Sequence, residues 1–146
     1  MDVNRPALKV HLRWMIRRDL AEVIRIEAEA YPAELAWNED NFLTYLRQRN
    51  SIAMVAEHGA DILGYFVYTL GRRSLQLENI AVLPSYHRRG IGRAMCDKLA
   101  NKLTSHKRTR IRLCVRETNL PAQLFFRSQK FRAVKVIRDV YSNGES

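Results

Sequence analysis

The stretch HRRGIGRAM, His87 to Met95, decides how the rest of the chain is read. Gly90 and Gly92 stand two apart among arginines, after an apolar run closed by Pro84 and before apolar residues at helical spacing. A strand that feeds a glycine turn and then a helix gathers backbone N–H groups at the positive end of that helix. Such a corner favours an anion. Glycine also lets a ligand approach backbone that a Cβ would shield. The pattern is not a P-loop, because GxxxxGK[S/T] is absent, nor the dinucleotide fingerprint, because Met95 stands where GxGxxG needs glycine. Taken alone, it reads equally well as a tight strand-to-helix turn.

Upstream of this corner, Ser74 to Val82 reads as a strand with a break in phase. Leu75 and Leu77 alternate with Ser74, Gln76 and Glu78, and the apolar positions resume out of step at Ile80 and Val82. A β-bulge leaves this mark; the alternative is a strand end buried on both faces. Ile52 to Glu57 and Ile62 to Leu70 form a predicted hairpin around the turn His58 to Asp61, and Gly71-Arg72-Arg73 turns into the bulged strand. His11 to Arg17 is predicted as the first strand. Asp19 is expected to cap a helix to about Ala30, with Leu20, Val23 and Ile24 at helical spacing. Tyr31-Pro32 breaks it, and Asn38 can cap a second helix through about Gln48, with Phe42, Tyr45 and Leu46 inward.

Downstream of the corner, Ile91, Met95, Leu99 and Leu103 carry a helix to about His106. Arg110 to Arg116 alternates as a strand. Asn119 is placed to cap a helix through Gln129, with Pro121 in its first turn, and Phe131 to Val140 is a last strand. The expected order is βααβββαβαβ. The expected fold class is α/β (α+β): one domain over residues 1–146, with a mixed, mostly antiparallel central sheet flanked by helices.

Composition narrows the function classes. At 47% hydrophobic residues the chain reads as globular, and no segment approaches the roughly 18 apolar residues of a membrane span. Charged residues in the N-terminal segment argue against a signal peptide, and a cytoplasmic protein is expected. Cys96 and Cys114 suit reduced thiols, and four scattered histidines without metal-ligand spacing predict no metal. The net charge of +10 fits a solvated basic surface, a polyanionic small ligand, or proximity to RNA or the ribosome. No RNP, KH or zinc signature supports a dedicated RNA-binding module.

The run NIAVLPSYHRRGIGRAM, Asn79 to Met95, resembles the acyl-CoA-binding motif of the GNAT family of N-acetyltransferases, [Q/R]-x-x-G-x-[G/A] after a strand. His87 stands where that motif usually has Gln or Arg. A second run, VRETNLPAQLFFRSQKF from Val115 to Phe131, resembles the family's V-R-x-x-N-x-x-A-x-x-L-Y-x-x-x-G-F signature. The resemblance implies a GNAT-like fold and acetyl-CoA as co-substrate. It implies that the N–H groups of Arg88, Arg89, Gly90, Ile91, Gly92 and Arg93 hold the pyrophosphate, with Ala94 also among the CoA-binding residues. It further implies that Ile80, Ala81 and Val82 pair with the pantetheine arm, and that Asn119 contacts CoA as well as capping its helix.

Within the family the chain is similar to the RimI-like group, which acetylates protein N-termini, typically that of a ribosomal protein. The run YPAELAWNEDNF from Tyr31 resembles that group's substrate loop, which makes Tyr31 and Pro32 candidate acceptor contacts. The run RDVY, Arg138 to Tyr141, resembles its R-x-x-Y. Two departures stand out. The group's basic Glu and acidic Tyr are replaced by Cys114, in LCVR, and Phe126, in LFFR. Glu78, at the bulge, is then the candidate base, and Tyr141 a candidate acid or peptide contact. The family's closing strand also has no counterpart after Val140, which predicts an open edge or a homodimer exchanging strands there. The expected activity is acetyl transfer to a protein α-amine, with no membrane or DNA partner. The alternatives are a CoA-binding protein with little or no turnover and a basic RNA- or ribosome-binding module.

Overall fold

The structure, a computed structural model, describes residues 6–113 and, beyond them, the backbone of residues 115–116 and 136–137. Five strands form the main sheet in the order β1 (His11–Trp14), β2 (Ser51–His58), β3 (Asp61–Leu70), β4 (Ser74–Val82) and β5 (Arg110–Leu113). The first four pair antiparallel, and β5 runs parallel to β4. A second sheet pairs β6 (Val115–Arg116) with β7 (Val136–Ile137) in parallel. The helices are α1 (Leu20–Ala30), α2 (Glu39–Leu46) and α3 (Ile91–Ser105). The central position of β3 explains its near-continuous apolar run, because Ile62 to Tyr68 is buried on both faces.

The two faces of the sheet carry different helices. Tyr65 and Asn79 reach Glu27 of α1 on one face. On the other, a Cβ on Gly64 would lie 3.4 Å from Met95 of α3 and 2.9 Å from the Ala81 carbonyl oxygen. Glycine at position 64 therefore lets β4 and α3 approach together. Ile91, Met95 and Leu99 bury one side of α3, as their spacing predicts.

The predicted bulge is present. Val67 pairs with Asn79 and Tyr68 with Leu77, leaving Glu78 as the extra residue of β4. Glu78 and Asn79 consequently turn to the same face, where they meet Thr69 and Tyr65.

Two boundaries differ from the sequence reading. The first strand ends at Trp14, and Arg17–Asp19 form a 3-10 turn. Asp19 does not cap α1. Its carboxylate accepts from the Ile16 N–H at 2.8 Å and from the Arg13 guanidinium at 2.8 and 3.0 Å, so it secures the turn before the helix. Of the strand expected from Arg110 to Arg116, Arg110–Leu113 and Val115–Arg116 are strand, and Cys114 lies outside the described residues. Asn38 behaves as expected, exchanging bonds of 2.9 Å with Asn41, although α2 ends at Leu46, short of Gln48. The helix expected from Asn119 to Gln129 lies outside the described residues, and so does the strand from Phe131 to Val140 apart from Val136–Ile137.

Candidate active site

A cleft follows from the topology. β5 pairs with β4 from Ser74 to Leu77, and among the described residues β4 has no strand neighbour on that side from the bulge onward. Antiparallel ladders alternate which residues bond to a given neighbour. Leu83 N–H donates to the Leu63 carbonyl at 2.9 Å, which fixes the phase. Ala81 and Asn79 therefore bond to β3, while Ile80 and Val82 turn their N–H and C=O groups to the open side. The expectation that Ile80, Ala81 and Val82 all present backbone bonds is corrected here: the polar groups of Ala81 belong to the ladder with Tyr65.

The outward groups have side-chain partners. The Tyr31 hydroxyl donates to the Ile80 carbonyl at 2.5 Å. Ile80 N–H donates to Asn79 Oδ1 at 2.9 Å. His87 Nε2 lies 3.0 Å from the Val82 carbonyl, a contact made when that nitrogen carries a proton. His87 thus closes the turn between β4 and α3 on itself. Pro32 is exposed, and its carbonyl accepts from Leu35 and Ala36 N–H, both at 2.9 Å, in the connection between α1 and α2.

The glycine corner lies at the end of β4. Gly90 precedes α3 with φ 84°, in the left-handed region, and Arg88 has φ 64°. A Cβ on Gly90 would meet only Ala7 Cβ, at 3.6 Å, so conformation rather than crowding calls for glycine here. The first N–H groups of a helix, here Gly90, Ile91, Gly92 and Arg93, have no intrahelical acceptor. The Ala94 N–H donates to the Gly90 carbonyl at 3.0 Å and so belongs to the helix ladder. Arg89 ties the corner to the N-terminal segment: its Nε donates to Pro6 O at 2.9 Å and its carbonyl accepts from Leu8 N–H at 2.8 Å.

Glu78 is 8% exposed and accepts from the Thr69 hydroxyl at 2.8 Å. It is a buried carboxylate at the bulge rather than a surface one. Cys96 is buried in α3, and that burial, with Asp97 beside it, pushes its thiol up to about 12. It is an inert thiol at neutral pH. Cys114, Asn119, Phe126 and Tyr141 lie outside the described residues.

One group escaped the sequence reading. Glu27 is fully buried on the inner face of α1. Its Oε2 accepts from the Trp37 backbone N–H at 2.8 Å. Its Oε1 accepts from the Tyr65 hydroxyl and from Asn79 Nδ2, the latter at 3.0 Å. Asn79 Nδ2 also donates to the Tyr65 oxygen at 3.1 Å. This carboxylate joins the loop after α1 to the bulged strand. The signal was available: Glu27 follows Val23 by four residues, on the apolar stripe.

A glycine corner, a bulge and a strand parted from its neighbour can be compared with known proteins. Residues 16–131 match the family model described as Acetyltransferase (GNAT) family. The chain belongs to this acetyltransferase family. The GNAT family uses acetyl-CoA as its acyl donor, and the open edge of β4 with the corner beyond it forms this chain's candidate GNAT cleft. Among relatives, an N-alpha-acetyltransferase of Sulfolobus acidocaldarius is 26% identical over 154 residues, covering 94% of this chain and 89% of that protein. The [Ribosomal protein bS18]-alanine N-acetyltransferase of Escherichia coli K12 is 28% identical over 125 residues, covering 84% of this chain and 81% of that protein. The crystal structure of the ribosomal-protein-S18-alanine N-acetyltransferase from Escherichia coli superposes with a TM-score of 0.72 at 23% identity, over 82% of this chain and 76% of that one. The expected fold is thereby borne out. No described helix is long and apolar enough to cross a membrane.

Proposed function

We propose that this protein transfers the acetyl group of acetyl-CoA to the N-terminal α-amine of a protein, with residues 1–146 acting as one domain. The observation that carries the reading is that, among the described residues, β4 has no paired neighbour beyond Leu77 on the side of β5, where the amides of Ile80 and Val82 face a cleft ending at the left-handed Gly90. Acetyl-CoA offers what this surface fits: a pyrophosphate for the N–H groups of Gly90 to Arg93, and an amide-rich arm for a strand edge. Arg88 and Arg93, exposed beside the corner, add positive charge. Val82 N–H and Ile80 N–H are the donors available near the thioester carbonyl, the latter once Asn79 Oδ1 yields it.

The acceptor amine attacks the thioester carbonyl, the C–N bond forms, the C–S bond breaks, and the amine's proton is lost. Glu78 is the base in this reading, working through water because its carboxylate is held against Thr69. Tyr31 and Pro32 border the acceptor side, with Tyr31 anchored on the same strand residue that faces the thioester. The named activities of the relatives support the α-amine over a lysine. Cys114 and Phe126 stand where the RimI-like group has its base and acid, so proton transfer here differs from that group's; Tyr141 is the remaining candidate acid, and Asn119 a further CoA contact. Turnover of acetyl-CoA on N-terminal peptides, lysine peptides and polyamines, read by free thiol, tests the proposal. The expected result is thiol release with the N-terminal peptides. Tight acetyl-CoA binding without turnover on any acceptor would reduce the protein to a CoA binder.

A further inference from the structure

The basic charge of the chain is concentrated at one end of the sheet, away from the cleft. The antiparallel pairing of β1 to β4 and the parallel β5 put four connections at that end. They run from β1 to α1 (residues 15–19), α2 to β2 (47–50), β3 to β4 (71–73) and α3 to β5 (106–109). Hydrogen bonds tie the β3-to-β4 connection to the α3-to-β5 one, Arg108 Nε to Gly71 O at 2.7 Å and Thr109 N–H to Arg73 O at 2.9 Å, and the α2-to-β2 connection to the end of β3, Leu70 N–H to Asn50 O at 2.8 Å. The four hold Arg17, Arg18, Arg47, Arg49, Arg72, Arg73, Lys107 and Arg108. All but Arg108 are exposed, and none forms an ion pair among the described residues. Their one carboxylate, Asp19, is buried against Arg13. The four connections together carry eight cations and one carboxylate, +7 of the chain's net +10; without them 17 Lys and Arg stand against 14 Asp and Glu. Most of the net charge is therefore local.

The glycine corner cannot account for this. It lies at the far end of β4, whose nine residues separate the two ends by about 30 Å. The position of His106 agrees with a strong local field: burial, and then Lys102 and Arg108, hold its imidazole below the ordinary range. Seven of the eight cations are arginines, whose planar forks suit phosphate oxygens. They spread across a row of strands spaced about 4.8 Å apart, which suits a chain of phosphates better than one anion. Three of the four connections have no large apolar side chain, and in the fourth Ile16 is a single exposed aliphatic residue beside the cations. The fourth is adjacent to Trp14, 69% exposed at the end of β1, a surface on which an unpaired base can stack. No helix is presented lengthwise here for a DNA major groove.

We infer that this end of the sheet is a docking surface for single-stranded RNA, separate from the acetyl-transfer cleft. The surface does not depend on the acetyl-transfer reading and can fail independently of it. A fluorescent oligouridylate of about 15 nucleotides, titrated against the full chain at several salt concentrations, is the test. Binding should weaken linearly in log salt. The triple change Arg72→Gln, Arg73→Gln, Lys107→Gln should weaken binding at least about tenfold and reduce the slope by about 2, as for three lost phosphate contacts. Its melting temperature and its stabilisation by acetyl-CoA should stay as in the parent. Trp14→Ala should lower affinity with the slope retained. Unchanged binding in the triple variant overturns the inference. So does loss of binding in Arg93→Gln instead, which would place the RNA at the glycine corner. Equal affinity for duplex DNA, polyglutamate or phosphatidylserine vesicles also overturns it.

Discussion

The Tyr31 hydroxyl donates to the carbonyl of Ile80 at 2.5 Å, joining the loop after α1 to the strand residue that faces the cleft. In the proposed reaction this bond links the acceptor side of the candidate site to the donor side. Tyr31→Phe removes it and leaves a carbonyl that water can reach, so stability should fall by only about 1 kcal/mol. The acceptor side should feel the change more. We expect kcat/KM for an N-terminal peptide to fall roughly tenfold, equivalent to about 1.4 kcal/mol, while acetyl-CoA affinity stays within about twofold. Steady-state kinetics against each substrate measure both. A loss confined to acetyl-CoA affinity would put Tyr31 on the donor side.

Glu27 joins the same two regions from inside the core. Glu27→Ala strands the Trp37 N–H and the Asn79 amide without their acceptor and leaves a cavity, so it should cost about 3 kcal/mol or more. Glu27→Gln keeps the volume and one acceptor and should cost less. The Glu27→Gln and Tyr65→Phe changes should be non-additive, because they break one shared bond. Denaturant midpoints of the two single variants and the double variant test this. Additive losses would mean the three polar groups do not act as a unit.

Much of this was legible in the sequence. Apolar runs on either side of the turn His58 to Asp61 marked the hairpin, and the shift of phase at Glu78 in the alternating strand from Ser74 marked the bulge, because a one-residue insertion inverts the facing of every later side chain. Asn38 was legible as a cap because Asn41 answers it at the right spacing. Asp19 looked the same but was not, because Arg13, six residues earlier across the β1–α1 turn, competes for its carboxylate. Glu27 was hidden for a different reason. Its partners, Tyr65 and Asn79, are 38 and 52 residues away, so nothing local shows that its charge is satisfied. The contacts of Tyr31 and His87 with strand carbonyls were equally non-local or dependent on turn geometry.

Glycine is required at 64 and 90 for different reasons, and the two should respond differently. Gly64→Ala drives a Cβ to 2.9 Å from the Ala81 carbonyl oxygen, where backbone must move. It should cost about 1–3 kcal/mol and displace the strand that carries Ile80 and Val82. Gly90→Ala meets no such obstacle, but φ 84° is strained for alanine and should cost about 1–2 kcal/mol. Both should weaken stabilisation by acetyl-CoA, and Gly90→Val more than Gly90→Ala. Thermal shift with and without acetyl-CoA separates the effects. A Gly90→Val protein that is stabilised normally would remove the corner from the binding site.

The Arg13–Asp19 pair makes stability depend on acid. The Arg13 guanidinium holds the Asp19 carboxyl below its usual range, while burial opposes this. The folded-state pKa lies below the unfolded one, so the stabilisation is full above the unfolded value, about 3.9, and is lost as pH falls through the folded value. Asp19→Asn should destabilise by about 2 kcal/mol at neutral pH. The gap to the parent should close below about pH 4. Melting temperatures of both proteins across that range check it; a constant gap would show that the charge of Asp19 is not what matters.

Glu78 is the base in the proposed reaction. The bulge turns it and Asn79 to one face, and its carboxylate accepts from Thr69 while remaining 8% exposed. Two roles compete for such a group. A structural carboxylate would anchor the bulge to β3, and its loss would lower stability and leave turnover of the remaining folded protein alone. A base would receive the acceptor's proton, and its loss would lower turnover in a pH-dependent way. Glu78→Gln keeps the size of the side chain and an oxygen for Thr69, so folding should be little affected. General-base contributions are typically about 10²–10⁴ in rate, and with water between the base and the amine we expect about 10². An α-amine has a pKa of about 8, so above that pH the acceptor arrives without its extra proton. The deficit of Glu78→Gln should therefore be largest near pH 6–7 and narrow as pH rises past about 8. Thr69→Val should shift the parent's pH profile without reproducing the full loss, because it changes the setting of the carboxylate and not its presence. Rate profiles for the three proteins on one N-terminal peptide test this. A deficit equal at every pH, or a loss of stability with normal turnover, would return Glu78 to the structural role and require the base to be found elsewhere.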